Sequence, residues 1–394
     1  MLFDPHRHER LQEKPWNSGE MESAVSSILL ELDASLHDGF LSLSGDRPGH
    51  DGLASLSLYG GALGTAWSLL RLSEQTGLSL SANYREMLEP TYEHQLSRLA
   101  DQDVHLGYLH GKLGQLAVLC CFDETSSRID EFLQVSRAVI ERPENELMWA
   151  APGALLAASL LYQRTGRKEL VPIIDLAIRR VFNEWKVSDE SPTAIWTQVL
   201  YGKSYQLLGA AHGFAGNILS LLSAFRFLSE PQRGELIKRA SETLHGSVSR
   251  DNGRVNWIQS LTFKQPNKFL LQWCHGAPGL LTCFRAFPTN EVDSLLLEAG
   301  HTVWAAGPLT KTHGFCHGNA GNGYAFLSLF ERTGDEEWLD RAKAFAVHSL
   351  WQSNRAFERS GQRQLGLYDG DSGLCWFLMS CLRAEAKMPS LDFL

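Results

Sequence analysis

The chain has 394 residues, 44% of them hydrophobic and 21% charged, with a formal net charge of −9. That balance builds a large soluble core and argues against a nucleic-acid surface or a strongly basic membrane patch. The seven cysteines are an odd number, and the opening MLFDPHRHER has no apolar signal region, so a reducing, cytoplasmic compartment is expected and free thiols rather than disulfides.

In chain order, an amphipathic segment, EMESAVSSILLELDASL, comes first, followed by the apolar unit YGGALGTAWSLL at 59–70. The pattern then recurs. LHGKLGQLAVLC (109–120) is followed by SRIDEFLQVSRAVIERP, and WAAPGALLAASLL (149–161) by RKELVPIIDLAIRRVFNEW. AHGFAGNILSLL (211–222) and QRGELIKRASETLHGSVS come next, then CHGAPGLLTCF (274–284), CHGNAGNGYAFL (316–327), DEEWLDRAKAFAVHSLW and YDGDSGLCWFL (368–378). Each apolar unit opens with Gly-x-x-Gly, except that Ala150 replaces the first glycine of the third. The closing glycines are Gly64, Gly114, Gly153, Gly216, Gly279, Gly321 and Gly373, spaced 39 to 63 residues apart.

The charged segments carry apolar residues at three- and four-residue steps, the signature of a helix with one buried face. The glycine units are apolar nearly all round and read as fully buried helices, not membrane spans; the uncharged stretches 52–70 and 147–163 also contain Ser, Gly, Pro or Gln. Seven outer and seven inner helices, with no run of alternating strands, predict an all-α toroid with one core. The inner helices would all start at one end of it. Unpaired N–H groups and positive helix ends gathered there would suit an anion.

Cys274, His275, Cys316 and His317 are metal-ligand pairs in neighbouring repeats, 42 residues apart. Four ligands on one zinc would make a closed structural site, and three would leave a position open for water or substrate. An open zinc with two thiolates suits a thiol substrate, since zinc-bound thiol loses its proton near neutral pH. His212 holds the equivalent place in the preceding repeat and is a candidate acid or base. Asp369 and Asp371 of YDGDSG could instead serve a glycosidase, but that reading leaves the Cys-His pairs unexplained, and the two are expected to cap the last inner helix.

WCHGAPG, FCHGNAG and AAHGFAG resemble the lanthionine synthetase C-like (LanC-like) family, and the His after the first Cys makes the likeness closest to its eukaryotic members. The resemblance covers nearly the whole chain, and implies a single (α/α)7 double-layer barrel over residues 1–394, with 1–18 an irregular N-terminal segment. It implies one Zn2+ on Cys274, Cys316 and His317, with His275 a neighbour, and His212 as the catalytic histidine. Bacterial cyclases of the family carry an Asp shortly before the third glycine unit, where NELMWAAPG offers Glu146. Eukaryotic relatives bind glutathione and add it to dehydroalanine and dehydrobutyrine residues in proteins or peptides. Lys311 and Arg359 match the family's glutathione contacts, while the acidic residue three places after that Arg falls on Gln362 here. The implied function is a zinc-dependent glutathione transferase. A lanthipeptide cyclase and a non-catalytic zinc- and glutathione-binding adaptor are the alternatives, and the family is also linked to peripheral membrane association.

Overall fold

The computed structural model describes residues 1–36, 56–98, 105–122, 126–188, 191–263 and 269–394. Residues 52–55 of the apolar stretch 52–70 lie outside them. Among the described residues there are fourteen α-helices in seven pairs. The inner helices are α2 (Ala62–Thr76), α4 (Lys112–Phe122), α6 (Ala151–Thr165), α8 (Phe214–Ser223), α10 (Ala277–Cys283), α12 (Asn319–Thr333) and α14 (Asp371–Arg383). Each follows an outer helix: α1 (Ser18–Leu36), α3 (Tyr84–Arg98), α5 (Ser126–Ile140), α7 (Val171–Asn183), α9 (Glu230–Gly246), α11 (Asp293–Ala306) and α13 (Glu336–Ser360). The chain forms the (α/α)7 double-layer barrel.

Burial follows the two patterns of the sequence. α7 buries one stripe, Ile173, Ile174, Ala177, Ile178 and Val181. In contrast, α6 buries every residue from Ala151 to Leu161, α12 every residue from Asn319 to Leu329 and α14 every residue from Asp371 to Cys381. A helix apolar all round needs neighbours on all sides, and the ring supplies them. Contacts run from α4 through α6, α8, α10, α12 and α14 to α2. The ring closes where the Tyr59 N–H donates to the Leu109 carbonyl at 2.9 Å. The segment after α14 fills the interior: Ser390 meets the hydroxyls of Tyr108 and Tyr368, and Phe393 packs on Trp67 and Trp376.

The closing glycines mark the tightest approach in each repeat. A Cβ on Gly64, Gly114, Gly153, Gly216, Gly279, Gly321 or Gly373 would lie 1.9–2.1 Å from the carbonyl oxygen six residues earlier. The loop folds back against the first turn of its own helix, and only glycine fits. This loop also changes the expectation of a donor-rich rim. N–H groups at the inner-helix starts are taken by carbonyls of the preceding loop, as in Lys112 to His105, Phe214 to Leu207, Asn319 to Thr312 and Asp371 to Gln364. They are therefore not a ready anion site.

The two longest repeat spacings hold strands that the sequence reading did not separate. Antiparallel hairpins β1 (Lys186–Ser188) with β2 (Ser191–Ile195) and β3 (Gln198–Leu200) with β4 (Lys203–Tyr205) lie between α7 and α8. A third, β5 (Val248–Asp251) with β6 (Arg254–Trp257), lies between α9 and α10. Residues 1–17 contain one 3-10 turn at Pro5–Arg7, and Arg7 and Glu9 dock on the barrel near α12 and α13 through Thr310, His348 and Gln352. Among the described residues no helix is long and apolar enough to cross a membrane.

Candidate active site

The inner helices bring the residues just before their starts to one rim. Backbone hydrogen bonds join these positions around the ring: Cys274 N–H to the Cys316 carbonyl, Cys316 N–H to that of Tyr368, and Tyr368 N–H to that of Tyr59. Cys274 and Cys316 thus sit on adjoining strands of chain, each at the entrance of its helix. Their sulfurs and a ring nitrogen of His317 lie within 4.8 Å of one another. Both cysteines are buried and His317 is partly exposed. His275 is not part of this group; it lies beside Gly209, and burial lowers its pKa.

The two thiols are hydrogen-bonded to each other. The Cys274 thiol is held well below its ordinary pKa by the hydrogen bond with Cys316, against the cost of burial, with further help from His317. Burial and the neighbouring Cys274 charge push Cys316 well above its own. The Gln272 amide donates to the Cys274 sulfur at 2.9 Å, and its oxygen accepts from Arg7 at 3.0 Å. The Tyr59 hydroxyl hydrogen-bonds Cys316. Two sulfurs and an imidazole are a donor set that fits zinc with one position open.

On the same rim, His212 Nδ1 meets a Glu146 carboxylate oxygen at 3.0 Å. Glu146 is fully buried, and its two oxygens also accept the N–H groups of Met148 and Trp149, both at 2.8 Å. The carboxylate thereby ties down the backbone just ahead of α6, which starts at Ala151. Burial works against a charged His212, but the Glu146 charge and hydrogen bond, with the Cys274 charge, outweigh it and raise its pKa. His212 therefore lies within electrostatic reach of both Glu146 and Cys274. The Trp149 ring packs against His212, with centroids 5.2 Å apart.

Lys311 is exposed, five residues before Cys316, and Arg359 is exposed in the last turn of α13, its Nε donating to the Arg355 carbonyl at 3.0 Å. Both stand on segments that lead to inner-helix starts. Asp371 does not serve as a helix cap. It is buried, ion-paired with the buried His313 at 3.1 Å, and accepts from Ser353 and the Gln364 N–H. Enclosed in this way, it cannot act on a sugar, which removes the glycosidase pair.

Tyr59, Gln272 and Trp149 were not singled out from the sequence. Repeat alignment carries a signal for two of them. Tyr59 occupies the position of Cys274 and Cys316 in the first unit, and Trp149 that of His212 in the third.

Residues 52–393 match the family model for lanthionine synthetase C-like protein. The chain belongs to the lanthionine synthetase C-like family. It is 30% identical to "LanC-like protein GCL1" of Arabidopsis thaliana, covering 85% of this chain and 81% of the relative. It is 27% identical to "Glutathione S-transferase LANCL1" of Danio rerio, covering 72% of this chain and 73% of that one. Its fold matches the solved structure of nisin cyclase with a TM-score of 0.66 at 17% identity, over 92% of this chain and 94% of that one. The family's eukaryotic members are thus among its relatives, as the Cys-His motifs imply.

Proposed function

We infer that this protein adds the thiol of glutathione to dehydroalanine or dehydrobutyrine residues in proteins or peptides. The observation that carries the reading is the convergence on one rim of a two-sulfur, one-imidazole donor set and the Glu146–His212 pair. The zebrafish relative, named a glutathione S-transferase, supports the same class of chemistry.

Cys274, Cys316 and His317 would hold the zinc. Bound there, the ion supplies one thing, a thiol kept as thiolate at neutral pH. In the addition, the sulfur bonds to the β-carbon, the double-bond electron pair moves towards the α-carbon and its carbonyl, and the α-carbon takes a proton; no group leaves. His212 is the residue suited to supply that proton. Glu146 occupies Nδ1, fixes the ring and favours its protonated form, which leaves Nε2 as the donor. Lys311 and Arg359 supply cations for the carboxylates of the tripeptide.

The test is incubation of the metal-loaded protein with glutathione and a dehydroalanine peptide. The expected product is the peptide increased by the mass of one glutathione. No adduct above the uncatalysed background, with zinc present and the protein folded, overturns the reading.

A further inference from the structure

Two hairpins of this chain turn in the same way. In β5–β6 the two turn residues are Asn252 and Gly253, with φ of 50° and 73°. In β3–β4 they are Tyr201 and Gly202, with φ of 52° and 72°. A two-residue turn with both φ positive favours Asn-Gly, and a bulky residue at its first position is strained. Tyr201 stands there nonetheless, and its side chain is not buried in compensation: it is 84% exposed. Local backbone preference and the hydrophobic effect both disfavour this placement, so neither explains it.

What Tyr201 touches does offer an explanation. Its ring stands edge-on to Trp149, at 5.6 Å and 89°. Trp149 in turn packs on His212 and on His105. Two aromatic rings are therefore aligned from His212 outward, the outer one open to solvent. On the same hairpin Val199 is also partly exposed, and Phe263 lies edge-on to Tyr205.

We propose that Trp149 and Tyr201 form a subsite for a large apolar or aromatic side chain next to the dehydroamino acid of the polypeptide acceptor. The inference rests on the reading of the site as one that modifies such a residue. The two rings beside His212 are themselves uncharged and apolar, so they favour an apolar neighbour over a charged one. Contact with the rings would fix the register of the acceptor so that its unsaturated carbon faces His212.

Binding and turnover are measured separately. Unreactive peptides with alanine in place of the dehydro residue, and Phe, Gly or Asp on either side, are titrated into the metal-loaded protein by calorimetry. Dehydroalanine peptides with the same neighbours are followed with glutathione by mass spectrometry. The wild type should bind the Phe peptide about three- to tenfold more tightly than the Gly peptide, the range of one aromatic contact. Tyr201→Asn should abolish the difference, and Tyr201→Phe should keep it. Because Asn suits the turn, Tyr201→Asn should unfold no more readily than the wild type, so the loss is not one of folding. Equal binding of all three peptides by the wild type, or an unchanged preference in Tyr201→Asn, overturns the subsite. Preferential binding without any adduct leaves the subsite standing and removes the transferase reading instead.

Discussion

His212 Nδ1 and the Glu146 carboxylate lie 3.0 Å apart although 66 residues separate them in the chain. Glu146 is enclosed and anchored by two backbone N–H groups, so it does not swing away. The histidine therefore has one ring nitrogen fixed, a defined orientation and a raised pKa.

Replacing His212 by Ala should lower the rate of addition by roughly 10²–10⁴-fold, the usual worth of a positioned acid or base. Zinc content and glutathione affinity should stay near wild type. The check is single-turnover rate, metal analysis and calorimetry on one preparation. A near-normal rate would assign the proton to solvent or another residue.

Glu146→Gln should move the alkaline limb of the pH–rate profile to lower pH, since the charge that raises the His212 pKa is gone. The same pair affects stability. A histidine whose pKa rises on folding stabilises the protein below its unfolded value of 6.5 and loses that contribution as pH rises through the folded value. Thermal unfolding of wild type and His212→Ala should therefore differ most at acid pH and converge above the folded pKa. A difference that grows with pH would contradict the sign.

Metal analysis should find about one zinc per chain. Cys316→Ala should lose it and His275→Ala should mostly keep it, because the close donor set among the described residues consists of Cys274, Cys316 and His317. X-ray absorption with His275 among the ligands, or no zinc at all, would contradict this assignment.

Lys311→Ala and Arg359→Ala should each weaken glutathione binding by about tenfold, the scale of a charge-assisted hydrogen bond to a carboxylate. Zinc content should not change. Unchanged affinity in both variants by calorimetry would remove these residues from the site.

A methyl group on Gly64 would sit 2.1 Å from the Leu58 carbonyl oxygen, whereas one on Gly234 in α9 would meet nothing within 4 Å. Gly64→Ala should destabilise by about 1–3 kcal/mol or more through overpacking. Gly234→Ala should stabilise by about 0.5–1 kcal/mol as a helix-interior replacement. Denaturant unfolding of the two variants checks both signs.

Much of this protein was legible in the sequence by itself. The seven glycine units and the alternation of amphipathic and all-apolar segments are local consequences of helix period and close approach, so they appear in the residue order. The Cys-His pairs were visible for the same reason, since each is confined to one turn. Tertiary structure alone decided which donors converge, because Cys274, Cys316 and His317 meet only when two repeats are set side by side by helix packing. It likewise decided that Glu146 faces His212, that Tyr59 reaches Cys316 and that Asp371 is enclosed by His313 rather than capping a helix. The six strands among the described residues escaped notice because three to five residues are too few to show a period of two. Nor could any local pattern reveal that the helix-start N–H groups are used up by their own loops, since the donors and acceptors are matched only once the loop has folded back over the glycine.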